Sequence, residues 1–160
     1  MKAVEFHAFA NFYLSTAEML DFHSTDRGRT YQYVVTKPSP IPLMGPTPSW
    51  FSGCGHGEEL IYFFDVAKAI NPHLNIEFTE EEEDLSAKLI SYWTSFAKTG
   101  VPNGGKDALP WKPYTKQSKS YLNFDIPITV RSNYKGEEID FWTNELPPLA
   151  VEKSTLFERV

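Results

Sequence analysis

Residues 79–102 carry helix signals at both ends and along one side, and any fold of this chain must accommodate that helix. Thr79-Glu80-Glu81-Glu82 has the capping-box pattern, in which the Thr79 side chain accepts from a backbone N–H and Glu82 reaches back. The acids from Glu80 to Asp84 fall at the positive end of the helix dipole. Leu85, Leu89, Trp93 and Phe96 follow at helical spacing as one apolar stripe, which Ile90 and Ala97 widen. Gly100 then supplies a C-cap, and Pro102 blocks continuation. Consecutive acids on a helix point in different directions, and no Asp-x-Asp-x-Asp-Gly loop accompanies them. Capping, not calcium binding, is their expected role.

Other segments build around this helix. Apolar residues from Phe9 to Phe22 recur at near-helical intervals, and Asp26-Arg27-Gly28 ends that run with turn chemistry. Thr30 to Thr36 is β-branched and aromatic, so it reads as a strand buried on both faces of a parallel or mixed sheet. Five prolines between Lys37 and Trp50 forbid regular structure there, since each fixes φ and removes a donor. The apolar residues among them (Ile41, Leu43, Met44, Trp50, Phe51) suit a semi-rigid loop packed on the surface better than a solvated tether. Gly57 to Ile70 suggests a short helix with a wide buried face. Trp111-Lys112-Pro113-Tyr114 suggests a turn, Tyr121 to Phe124 a short strand, and Glu138 to Leu146 a last helix closed by Pro147-Pro148.

Composition removes several functions. The net charge is −6 with no Lys/Arg cluster, so nothing offers the cationic stripe that nucleic-acid binding requires. No apolar run approaches the roughly 20 residues of a membrane-spanning helix. Met1 to Glu5 lacks the apolar core and cleavage site of a secretory signal. Cys54 is the single cysteine, which excludes an internal disulfide and a multi-cysteine metal site. His7, His23, His56 and His73 are scattered without zinc-ligand spacing, so neither metal nor cofactor is expected.

His56 is the residue with chemistry to offer. It lies in Ser52-Gly53-Cys54-Gly55-His56-Gly57-Glu58-Glu59-Leu60, after the proline-rich loop and before an apolar stretch. An imidazole on a Gly-flanked turn is poorly placed for a core and well placed for proton exchange near neutral pH, as a general base. Cys54, two residues away, invites a Cys/His nucleophile, but a small residue in a tight loop is the better account. Glu58 and Glu59 are too close in sequence to reach the far ring nitrogen, and first-turn acids of the next helix is their expected role. Trp50 and Phe51 either line a pocket near His56 or anchor the loop.

Four ordered segments carry a resemblance. These are Tyr31-Gln32-Tyr33, His56-Gly57-Glu58-Glu59-Leu60-Ile61-Tyr62-Phe63-Phe64, the run Leu89 to Asn103 with its Trp93-Thr94-Ser95-Phe96-Ala97-Lys98-Thr99-Gly100-Val101-Pro102-Asn103, and the closing pairs in Trp111-Lys112-Pro113-Tyr114 and Phe141-Trp142. Together they resemble the C-terminal part of the type-B carboxylesterase/cholinesterase family, a branch of the α/β-hydrolases. The resemblance implies an α/β fold: the C-terminal portion of an α/β-hydrolase, with an incomplete sheet and several packed helices. Residues 1–149 would form that segment and 150–160 a short tail. His56 falls on the family's catalytic histidine. The family's C-terminal disulfide cysteine falls near Ile139.

The departures shape the functional expectation. No Gly-x-Ser-x-Gly elbow occurs in the 160 residues, and triad order in this fold is Ser, then Asp/Glu, then His. The chain therefore holds the last triad member, without nucleophile, acid or glycine-rich oxyanion loop, and alone it is expected to be inactive. A small-molecule or lipid ester would bind only together with an N-terminal part. Non-catalytic relatives resembling neuroligins keep the histidine and lose the nucleophile, and a partial gene product without independent function is a third reading. Esterase parentage is preferred because retained machinery is the commoner state. The compartment stays open, since the family has many secreted members and this chain shows neither signal nor disulfide.

Overall fold

Ser120-Tyr121-Leu122-Asn123-Phe124 forms the central strand of the molecule, and all five residues are buried. The computed structural model describes residues 2–24, 28–41, 45–46, 48–64 and 77–148. Within them, β1 (Gln32–Val35), β2 (Ser120–Phe124) and β3 (Thr129–Ser132) make a mixed sheet ordered β1-β2-β3. β1 runs parallel to β2 with Tyr33 opposite Leu122, and β3 returns antiparallel with Val130 opposite Leu122. Successive side chains alternate across a strand, so β2 serves two layers.

One layer is the long helix α3 (Glu80–Thr99), in the α-series that begins with α1 (Lys2–Ala8) and α2 (Leu14–His23). Its Leu85, Leu89 and Tyr92 pack with Leu122, Phe124, Ile61 and Tyr62 as the core. The expected stripe shifts by one position: Tyr92 is fully buried, whereas Trp93 is half-buried and Phe96 and Ile90 are exposed. The start and end of α3 are as the sequence implies. Thr79 accepts from the Glu82 N–H, Glu82 accepts from the Thr79 N–H, and Gly100 caps the far end with φ 72°.

The opposite layer is the N-terminal helical run, in which a π-helical turn (Phe9–Tyr13) joins α1 to α2. Tyr121 meets Tyr134 at 5.5 Å between ring centroids, and Tyr134 meets Tyr13 at 5.3 Å. The Tyr114 hydroxyl donates to the Asp21 carboxylate at 2.7 Å. The helix expected from Phe9 to Phe22 thus exists and starts earlier, but its apolar face is only partly used: Phe9 and Leu20 are buried, while Phe22 stays 76% exposed.

Four further expectations need correction. β1 is shorter than Thr30–Thr36 and flanks β2 instead of lying centrally, so Tyr33 is exposed and burial on both faces fails. Trp111–Tyr114 is not a turn but an irregular stretch beside β1, with the Trp111 indole N–H donating to the Gln32 carbonyl at 3.0 Å and the Tyr114 N–H to the Thr30 carbonyl at 2.7 Å; the turn follows at 116–118. Gly57–Ile70 forms a 3-10 helix over Glu58–Tyr62 and not a longer helix before Phe64; residues 65–76 lie outside the described residues, as do Asp26, Arg27, His73 and the tail. The last helix begins earlier than Glu138, as α4 (Gly136–Asp140), and continues through a π-helical turn (Phe141–Glu145).

Glu82 does more than cap. Lys37, two residues past β1, places its ammonium 2.7 Å from Glu82 Oε1, tying the sheet to the start of α3. Burial pushes the Glu82 carboxyl pKa up, but the Lys37 hydrogen bond, the Thr79 N–H and the Lys37 charge together outweigh it, and the net pKa lies below the ordinary carboxylate range. A folded-state pKa below the unfolded value of about 4.3 means the contribution is complete above that value and lost as pH falls through the folded one. Replacing Lys37 with methionine is expected to cost about 1.5–3 kcal/mol at pH 7. It should also flatten the acid-side fall in stability. Urea titrations of both proteins across the acid range check this, and parallel curves would refute it.

Candidate active site

The turn that presents His56 is built by its glycine neighbours and by the acid that follows. Gly57 has φ 78° and ψ −4°, the values of the third residue of a type II turn, which a side chain would strain. The Glu58 N–H closes the turn on the Gly55 carbonyl at 3.1 Å, and the Leu60 N–H bonds the Gly57 carbonyl at 3.2 Å to start the 3-10 helix. Ile61 and Tyr62 then enter the core. The Tyr62 hydroxyl donates to the Pro38 carbonyl at 3.2 Å, and the Ser86 hydroxyl to the Tyr62 carbonyl at 2.5 Å. The histidine therefore sits five residues before Ile61, where the segment locks against α3.

The imidazole itself is exposed. One face packs against the Phe12 ring, with centroids 4.9 Å apart and planes 31° from each other. Among the described residues, neither ring nitrogen has a hydrogen-bond partner. The Phe12 contact has no sequence signal, because 44 residues separate the two rings in the chain. Glu58 is not a partner for the ring either. Its carboxylate is 7% exposed and accepts from the Gly55 N–H at 2.8 Å.

Cys54 is disqualified as a nucleophile by its surroundings. Burial, reinforced by the Glu58 and Glu59 charges, pushes its thiol up to about 12, and its Sγ lies 3.6 Å from the Gly55 carbonyl. A thiolate is the reactive form, so at pH 8 Cys54 is expected to alkylate with iodoacetamide at least about 100-fold more slowly than free cysteine. Mass spectrometry of timed samples measures this, and labelling at the free-thiol rate would contradict it.

Trp50 and Phe51 line an open groove of about 690 Å³ together with Phe6, Phe9, Tyr13 and Trp142. His56 is not part of its wall. Among the described residues, no group of three or more His, Cys, Asp or Glu side chains is arranged to hold a metal ion, and no helix is long and apolar enough to cross a membrane.

A small mixed sheet flanked by helices, with a histidine turn between β1 and β2, is consistent with part of an α/β-hydrolase, and sequence comparison agrees. The model of the carboxylesterase family matches residues 1–142. Acetylcholinesterase of Gallus gallus is 35% identical over 123 residues, which is 76% of this chain and 15% of that protein. Carboxylesterase 5A of Canis lupus familiaris is 35% identical over 127 residues, covering 79% of this chain and 21% of its own length. Bile salt-activated lipase of Rattus norvegicus is 31% identical over 134 residues, with the same coverage of 79% and 21%. The chain belongs to the carboxylesterase family. It spans about a fifth or less of the length of these relatives.

Proposed function

We propose that this chain supplies the general-base histidine of a serine carboxylic ester hydrolase. His56 takes the proton from a serine hydroxyl as it attacks the ester carbonyl, then returns that proton to the departing alcohol. The serine, the acid that orients the ring and the oxyanion donors come from a preceding segment. A small-molecule or lipid ester is the substrate class. The observation that supports this reading is the exposed imidazole on a glycine-shaped turn, with neither nitrogen bonded among the described residues, in a chain of this family. The relatives, an acetylcholinesterase, a carboxylesterase and a lipase, favour an ester hydrolase over an adhesion protein.

The 160-residue chain alone is expected to leave a nitrophenyl ester unhydrolysed and to ignore a fluorophosphonate probe. A longer protein that carries an in-frame Gly-x-Ser-x-Gly before this segment is expected to hydrolyse the ester and to react with the probe. Turnover by the isolated chain, lost on replacing His56, would show a nucleophile within these residues. A different residue in place of the elbow serine would move the protein to the non-catalytic branch.

A further inference from the structure

We infer that Glu58 is the positioning residue for His56, acting through the main chain rather than through the ring. Two contacts between the same residues make the grip reciprocal. The Glu58 carboxylate accepts from the Gly55 N–H at 2.8 Å, while the Glu58 N–H donates to the Gly55 carbonyl at 3.1 Å. His56 and Gly57 are the two residues held between them. The carboxylate is almost wholly buried and lies over the Gly55 Cα, where an added Cβ would come within 2.9 Å of Glu58 Cδ. A carboxylate bonded to an N–H is a stronger link than a neutral pair, and it occupies the space that would let the turn open.

The ring is then fixed from the other side by Phe12, at 4.9 Å between centroids. Side chain and backbone are thus restrained by different elements, and the backbone restraint is the one that sets where the Cα–Cβ bond points. Displacing a catalytic group by an ångström can cost about 100-fold in rate, so a base on a glycine-flanked turn needs such a restraint. The inference rests on His56 being the base, and its test separates the two claims.

In the isotope-labelled chain, the Gly55 amide is expected to exchange with deuterium about 10- to 100-fold faster in Glu58→Leu than in the parent. Glu58→Gln, which keeps an acceptor oxygen, is expected to restore protection. The ring-to-ring NOE between Phe12 and His56 should weaken in the first variant and persist in the second. The Leu89 amide, in the core, reports whether the fold survives. Where Glu58→Leu loses Leu89 protection, Glu58→Asp is read instead: it keeps the charge, is one methylene too short to reach Gly55, and is expected to free the same amide.

Unchanged Gly55 exchange in a folded Glu58→Leu or Glu58→Asp variant overturns the inference and leaves the role of His56 untouched. In the longer, serine-bearing protein, Glu58→Leu is expected to lower kcat about 10- to 100-fold with KM little changed. Gly55 freed without any fall in kcat also overturns the positioning role. If turnover there does not depend on His56, the general-base reading falls while the turn restraint, read by exchange, stands.

Discussion

Replacing His56 with alanine in the assembled, serine-bearing esterase is expected to lower kcat by about four to six orders of magnitude, with KM close to its original value. The size follows from the chemistry: a serine hydroxyl is a poor nucleophile until its proton has somewhere to go, and neither Cys54 nor Glu58, the described neighbours, is placed to take it. Cys54 has its thiol pushed up to about 12, and the Glu58 carboxylate is committed to the Gly55 N–H. Glutamine at position 56 should fare no better, since an amide cannot accept the proton. In this chain the imidazole is exposed, so its removal here should change stability by less than about 1 kcal/mol, and the thermal midpoint of the chain reports folding separately from activity. Steady-state kinetics beside a melting curve measure both. A loss of less than about tenfold would mean that the base is another residue.

The second large effect lies in the core. Tyr92 is fully buried, its ring meets Trp111 at 5.6 Å and Phe124 at 5.7 Å, and its hydroxyl donates to the Leu109 carbonyl at 2.5 Å. Alanine there removes the ring between α3 and the sheet and leaves a cavity, at an expected cost of about 3–5 kcal/mol. That is comparable with the whole stability of an ordinary domain, about 5–15 kcal/mol, so the variant should be largely unfolded near physiological temperature. Phenylalanine keeps the ring and loses one hydrogen bond, at about 1 kcal/mol. Urea titration followed by tryptophan fluorescence distinguishes them. An alanine variant as stable as the phenylalanine one would show that Tyr92 is not a structural centre.

What could be read before any coordinates depended on how local the determinant was. The limits of α3 were legible because Thr79, Glu82 and Gly100 act within a turn of where they stand. Its buried face is legible only in part: Leu85, Leu89, Tyr92 and Phe96 share one side, but Phe96 lies in the last turn and stays exposed, and Tyr92, with its polar hydroxyl, is the buried ring in place of Trp93. β3 does not stand out in the sequence: Thr129 and Val130 favour a strand, but Pro127 before them and Arg131-Ser132 after them keep the run too short, and pairing with β2 forms it. At the site, the Gly-flanked turn around His56 was legible, and Phe12 was not, since contact across the chain leaves no local mark. The Glu58 grip could have been seen. Its carboxylate reaches the N–H three residues back, as Glu82 does to Thr79, and the same spacing announces both.

The parallel pairing of β1 with β2 also governs how the chain comes to be folded. Everything from residue 36 to residue 119, the proline-rich loop, the histidine turn and α3 included, lies between two neighbouring strands. During synthesis β1 therefore cannot pair with β2 until Phe124 has left the ribosome. Contacts so distant in sequence form late and slowly, and the interval is when an unpaired strand meets other nascent chains. Chaperone demand in the cell, more than equilibrium stability, is the quantity this topology sets.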